Sequence, residues 1–111
     1  MEVVSGPRLD EVWLVSLDPT RGFEMQKTRP CVVVSPDEMN QHLRTVIVAP
    51  MTTRWHAFPT RISCAFQGKT GYVVLDQIRT IDSDRVARPL GRLPEPTLSK
   101  VLHGLQEMFA E

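Results

Sequence analysis

The run Lys27-Thr28-Arg29-Pro30-Cys31-Val32-Val33-Val34-Ser35-Pro36 constrains the fold more than any other stretch of the chain. Residues 31–34 are apolar without a break and three of them are β-branched valines. Such a run reads as a short strand buried on both faces. Pro30 has no N–H to give a ladder and restricts the residue before it, which places it at the first strand position and keeps Arg29 extended. A planar, cationic guanidinium is thereby fixed at the strand's mouth. At the other end Ser35-Pro36-Asp37-Glu38 has the form of a capping box, with proline at N1, so a short helix is expected near residues 36–42.

A strand covered on both sides needs partners, and the flanking sequence supplies them. Residues 12–17 set Trp13, Val15 and Leu17 on one face and Val12 and Leu14 on the other. Residues 45–49 are a second β-branched run ended by Pro50, residues 60–66 alternate weakly, and residues 72–81 read as a strand interrupted by Asp76-Gln77. Residues 88–93 can form a last short strand. The polar connection from Asp18 through Thr28 is longer than an ordinary hairpin loop, which marks it as a candidate binding or lid loop. Gln67-Gly68-Lys69-Thr70-Gly71 is a turn whose glycines are free to take positive φ, and Asp82-Ser83-Asp84 caps a short turn. From about Glu95, the residues Leu98, Val101, Leu102, Leu105, Met108 and Phe109 recur at helical spacing, so the tail is an amphipathic helix. Residues 1–8 read as a loose arm.

The expected architecture is mainly β with a C-terminal α-helix: one domain over residues 1–111, built as a small, strongly bent antiparallel barrel. Thirteen basic and thirteen acidic side chains cancel, so charge alone neither demands nor excludes a nucleic-acid partner. Cys31 and Cys64 are too far apart for a Cys-x-x-Cys motif and read as reduced core thiols, which points to the cytoplasm. No apolar run is long enough to anchor the chain in a membrane.

Asp76-Gln77 interrupts an apolar strand, and a buried strand carries an acid and an amide in mid-run only where they face a cleft or are hydrogen-bonded. His42, His56 and His103 have no partner at ligand spacing, so no metal site is expected, and phosphate-loop, dinucleotide and nucleophile-elbow patterns are absent. What the chain offers is hydroxyls and cations at strand ends: Lys27, Thr28 and Arg29 entering one strand, Thr52, Thr53 and Arg54 leaving another. These groups suit phosphate, with Trp55 and Phe58 nearby to stack on bases. Solvated loop ends around a packed Trp55 give the same pattern, and spacing alone does not separate the two readings.

Several motifs in order resemble one family. They are Trp13 with the following Leu17-Asp18-Pro19-Thr20, then Gly22 and Glu24, Lys27-Thr28-Arg29-Pro30, Val32-Val33-Val34-Ser35-Pro36 and Ala49-Pro50-Met51-Thr52-Thr53. Asp76-Gln77-Ile78-Arg79-Thr80-Ile81-Asp82 and the terminal helix complete a pattern similar to the MazF/PemK/Kid toxins. The chain departs from many members in carrying Asp10-Glu11 where they have Gly-Asp or Gly-Glu, and its 51–59 loop, with Trp55 and His56, lies in a variable region.

The resemblance implies an SH3-like barrel of the MazF/CcdB type and the toxin of a type II toxin–antitoxin system. That toxin is a sequence-specific, metal-independent endoribonuclease, an mRNA interferase that cuts single-stranded RNA by 2′-OH attack and uses no cofactor. Arg29 and Thr52 are implied as catalytic, from their places in Arg-Pro and Pro-x-Thr-Thr. Glu24, Lys27, Thr53, Asp76 and Gln77 are implied as substrate contacts, with Glu24 and His56 as candidates for the base. The implied partners are single-stranded RNA, a second copy of the chain, and a cognate antitoxin whose acidic C-terminal segment lies near Arg29 and Arg54. DNA is bound only through an antitoxin complex. The tail helix and Val46-Ile47-Val48 also carry more apolar surface than one small barrel needs, which agrees with a homodimer. Two other classes share the barrel, a CcdB-like DNA gyrase poison and a non-catalytic RNA- or antitoxin-binding module. The Arg29 and Thr52 motif favours the nuclease.

Overall fold

The valine run lies within a strand that begins before Pro30. The computed structural model describes residues 6–54 and 58–111. In chain order the elements are β1 (Glu11–Ser16), β2 (Thr28–Val33), α1 (Asp37–His42), β3 (Thr45–Thr52), β4 (Arg61–Phe66) and β5 (Lys69–Val74). A 3₁₀ turn (Leu75–Gln77), β6 (Arg79–Asp82), a second 3₁₀ turn (Ser83–Arg85), β7 (Val86–Arg92) and α2 (Glu95–Met108) follow. The strands form one curled antiparallel half-barrel in the order β4-β5-β3-β2-β1-β7, with β6 also on β3. This is the mainly β fold with a terminal helix expected from the sequence.

Burial of β2 on both faces holds. Cys31 and Val33 pack with Val15, Leu17, Val46, Val48 and Ile81, whereas Val32 and Val34 pack with Val12, Ala49, Met51, Val73 and Leu75. The two-residue period of a strand sends successive valines into opposite cores, and each fully buried one contributes about 1.5–3 kcal/mol. Val46 and Val48 are fully buried within this same chain, so they offer no surface to a second copy and do not argue for a dimer.

β3 changes neighbours along its length. Residues 45–48 pair with β6, residues 48–50 with β2, and Met51 and Thr52 with Val73 and Tyr72 of β5. The last β2–β3 pair is Cys31 with Pro50. Beyond it β2 continues on β1 alone, with Pro30 opposite Leu14 and Arg29 opposite Val15, while β3 turns onto β5. Neither proline has an N–H for the ladder, and both sit where the two strands part. Pro30 therefore does not start its strand and Pro50 does not end one, because a missing donor is tolerated where pairing on that side stops.

The barrel's free edges meet through side chains. Gln67 Nε2 donates to the Leu90 carbonyl at 2.8 Å, and the Phe66 ring lies 3.3 Å from where a β-carbon on Gly91 would stand. Helix α2 settles on the same core through Val101 and through Gly104, whose missing side chain leaves room for Leu75 and Ile62. Gln67 and Gly68 form the β4–β5 turn with φ of 52° and 77°, but Gly71 lies inside β5 and has a different purpose.

Two local expectations change. The capping box does not form: α1 has no side-chain cap. Ser35 is buried, and its Oγ accepts from the Ile47 N–H at 3.0 Å and donates to Asn40 Oδ1, so it ties α1 to β3. A buried hydroxyl beside a strand edge satisfies the donor that has no other partner. Asp76-Gln77 breaks the strand expected over residues 72–81 into β5 and β6. The Asp82 cap is present, with Oδ1 accepting from the Asp84 N–H at 2.9 Å. Asp10, the family departure, has φ of 76°, a conformation glycine adopts freely. The aspartate keeps that backbone course and adds a two-pronged ion pair to Arg92 at 2.9 Å.

Candidate active site

Because β2 and β3 diverge at their prolines, a cleft of about 270 Å³ opens between the mouth of β2 and the β4–β5 hairpin. Arg29, Thr52 and Thr53 line one side; Lys69, Thr70 and Tyr72 line the other. Arg29 Nε donates to the Gln26 carbonyl at 2.9 Å, which fixes the plane of the guanidinium and leaves its terminal nitrogens for a ligand. Thr52 Oγ1 accepts from the Arg54 N–H at 3.1 Å, so its hydroxyl proton is still available to donate. Gly71 sets the width of the site at this end: a β-carbon there would stand 2.5 Å from the Thr52 carbonyl oxygen. Only glycine lets β5 approach so closely.

A second cleft, of about 550 Å³, has Pro50 of β3 and Met25 of the β1–β2 loop in its lining. Met51 and Thr52 of the same strand line the first. The expected site residues are divided accordingly. Arg29, Thr52 and Thr53 share the first cleft; Glu24, Asp76 and Gln77 line the second. Lys27 lines neither cleft, and holds the loop end at φ of 69° with its N–H on Asp18 Oδ1 at 3.0 Å. The Glu24 carboxylate accepts from the Arg21 N–H at 2.7 Å. His56 and Trp55 lie outside the described residues.

Asp76 and Gln77 are engaged by the protein itself. Asp76 accepts from Thr60 Oγ1 at 2.8 Å and pairs with Arg61 at 3.3 Å. Burial alone would raise its carboxyl, but the hydrogen bonds from Arg61 and Thr60 hold it below the usual carboxylate range. Gln77 Oε1 accepts from the Met25 N–H at 2.6 Å and its Nε2 donates to the Phe23 carbonyl at 3.4 Å. With Arg79 on the Leu17 carbonyl at 2.9 Å and Arg85 on that of Asp18, these bonds strap the β1–β2 loop to the sheet. The loop tip carries a fully exposed Phe23 at the rim of the second cleft.

Lys69, Thr70 and Tyr72 were not identified from sequence as site residues. Their signal is a register, Thr52 opposite Tyr72, that no single strand reveals. Both cysteines are free and buried; burial pushes the Cys31 thiol up to about 12 despite the fields of Arg79 and Arg29. Among the described residues, no cluster of three or more His, Cys, Asp or Glu side chains is arranged to hold a metal ion, and no helix is long and apolar enough to cross a membrane.

A curled half-barrel capped by one helix, with a cationic, hydroxyl-lined cleft where its central strands part, defines a small toxin class. The chain belongs to the PemK-like, MazF-like toxins of type II toxin–antitoxin systems, whose pattern it matches over residues 9–109. It is 41% identical over 105 residues to endoribonuclease PemK of Escherichia coli, covering 89% of this chain and 79% of that protein. With endoribonuclease MazF9 of Mycobacterium tuberculosis the identity is 33% over 112 residues, covering 89% and 92%. Among solved structures, MazF from Deinococcus radiodurans superposes with a TM-score of 0.84 at 25% identity, over 95% of this chain and 97% of that one. A mycobacterial endoribonuclease in complex with its cognate antitoxin gives 0.78 at 25% identity, over 91% and 92%.

Proposed function

We propose that this chain is a toxin that cleaves single-stranded RNA in the first cleft, by attack of the substrate's own 2′-OH on the adjacent phosphorus. The observation that carries the reading is the convergence of Arg29 and Thr52 from two different strands on one recess of about 270 Å³, room for a phosphate and its flanking sugars. The names of PemK and MazF9, both endoribonucleases, support it. In this reaction a bond forms from O2′ to phosphorus and the bond to O5′ breaks. The proton leaves O2′ and one arrives on O5′, giving a 2′,3′-cyclic phosphate and a 5′-hydroxyl.

The chain's own groups match the electrostatic demand of that step. The Arg29 guanidinium can span two phosphoryl oxygens as charge builds on them, Lys69 adds a second cation, and Thr52 donates a neutral hydrogen bond. A guanidinium does not act as a base. Glu24, which lines the second cleft, stays a candidate for the base that takes the O2′ proton. The scheme uses no metal. Thr53 contacts the phosphate flank, while Asp76 and Gln77 serve by holding the loop that bears Phe23 and Glu24.

The same cations suit an acidic antitoxin segment that competes with RNA; an antitoxin as partner is supported by the mycobacterial relative solved in complex with its own. The toxin works in the cytoplasm as a homodimer, for which sedimentation should give twice the 12.6 kDa chain mass. The deciding experiment incubates purified protein with mixed-sequence RNA in EDTA. Discrete fragments ending in cyclic phosphate and 5′-hydroxyl are expected; 5′-phosphate ends, or no cleavage in EDTA, would refute the scheme.

A further inference from the structure

We propose that Tyr72 is a substrate-contacting residue of the first cleft, its phenolic O–H donating to a non-bridging oxygen of the scissile phosphate. This rests on the ribonuclease reading and names a group that neither sequence motif nor family pattern singles out. Tyr72 is the chain's one tyrosine, and it pairs directly with Thr52 across β3 and β5. Directly opposed residues in an antiparallel pair project from the same face with β-carbons about 4.5–5.5 Å apart, so the ring rises beside the threonine hydroxyl. Both side chains line the cleft that holds Arg29 and Lys69.

The phenol is only half-buried, and none of the hydrogen bonds among the described residues engages its hydroxyl, although Thr52 and Arg29 both have a backbone partner. A tyrosine serving only as packing would be buried along its ring with its hydroxyl satisfied or in open water. This one lines a recess that it shares with two cations and three threonines. Its position is fixed as well, because Gly71 brings β5 against the Thr52 carbonyl one residue earlier. A donor held this way needs no rearrangement as negative charge grows on the phosphoryl oxygens, which is where an added hydrogen bond lowers the barrier.

Tyr72→Phe keeps the ring and removes only the donor. In cleavage of mixed-sequence RNA it should lower kcat about tenfold with KM unchanged, while thermal unfolding and far-UV circular dichroism match the wild type. Tyr72→Val should be no worse than Tyr72→Phe in kcat. If the wild type cuts RNA and Tyr72→Phe cuts it at the same kcat, the proposal is wrong. If Phe is silent and Val alone is impaired, the ring and not the hydroxyl matters, and the proposal is equally overturned. Failure of the wild type to cut any RNA would refute the ribonuclease reading itself.

Discussion

Gly71→Ala tests whether the close approach of β5 to β3 organises the cleft. The added β-carbon would stand 2.5 Å from the Thr52 carbonyl oxygen, 3.3 Å from its carbon and 3.6 Å from the Thr53 α-carbon. An ordinary carbon–oxygen contact is about 3.3 Å, so the strands must separate by roughly 0.8 Å. No flexible side chain can absorb this, because every atom met is backbone. Overpacking of this kind costs about 1–3 kcal/mol, or roughly 4–12 °C in unfolding temperature for a domain of this size. The effect on catalysis should be larger than the effect on stability, since displacing a positioned group by about 1 Å can cost 10²-fold in rate. Gly68→Ala is the control: its φ of 77° makes alanine strained, but the space around it is open. It should lose about 1–2 kcal/mol of stability and no cleavage rate. The assay is initial cleavage of a labelled RNA beside thermal unfolding for both variants. A Gly71→Ala protein that folds and cuts at the wild-type rate would refute the reasoning, as would Gly68→Ala losing rate to the same degree.

Arg29→Ala should reduce cleavage by about two to three orders of magnitude, roughly 3–4 kcal/mol, with lysine a poor replacement because it lacks the fork. Thr52→Ala should lose less, a neutral donor being worth about half a charged one, and single-turnover kinetics on both variants measure the difference. Gln77→Ala leaves the Met25 N–H without its acceptor, so about 1–2 kcal/mol of loop stability is lost and residues 18–27 should be nicked faster by limited proteolysis. The Asp76 carboxyl is held below its usual 3.8, so its bonds stabilise the fold above that pH and the contribution vanishes as pH falls below it. Asp76→Asn should flatten that part of an acid-unfolding curve followed by circular dichroism.

The elements with strong local patterns were legible from residues alone. Three consecutive valines announced a strand covered on both faces, the spacing of Leu98, Val101, Leu102 and Leu105 gave α2, and Asp82 gave its cap. What escaped depends on neighbours distant in sequence. Pro30 and Pro50 read as strand ends because a proline's lost donor is visible locally, whereas the parting of the ladders that accommodates it is not. Ser35 fits a capping box until the Ile47 N–H claims its oxygen. At the site, Arg29 and Thr52 stand out through their motifs, whereas the hydrogen bonds of Asp76 and Gln77 come from Thr60, Arg61 and Met25, which nothing in the sequence places beside them. Tyr72 was invisible for the opposite reason: it sits in an unremarkable strand and acquires its place from the residue across the ladder.

The ladders of β2 and β3 part after the Cys31–Pro50 pair, and a cleft lined by Arg29, Thr52 and Thr53 lies where they separate. A recess of about 270 Å³ cannot take in a base-paired helix, so under the proposed ribonuclease function only an unpaired strand would bring its phosphate to Arg29. Selection of unpaired RNA would then lie in the size of the recess, before any base is read, and would persist in variants whose base contacts have been exchanged.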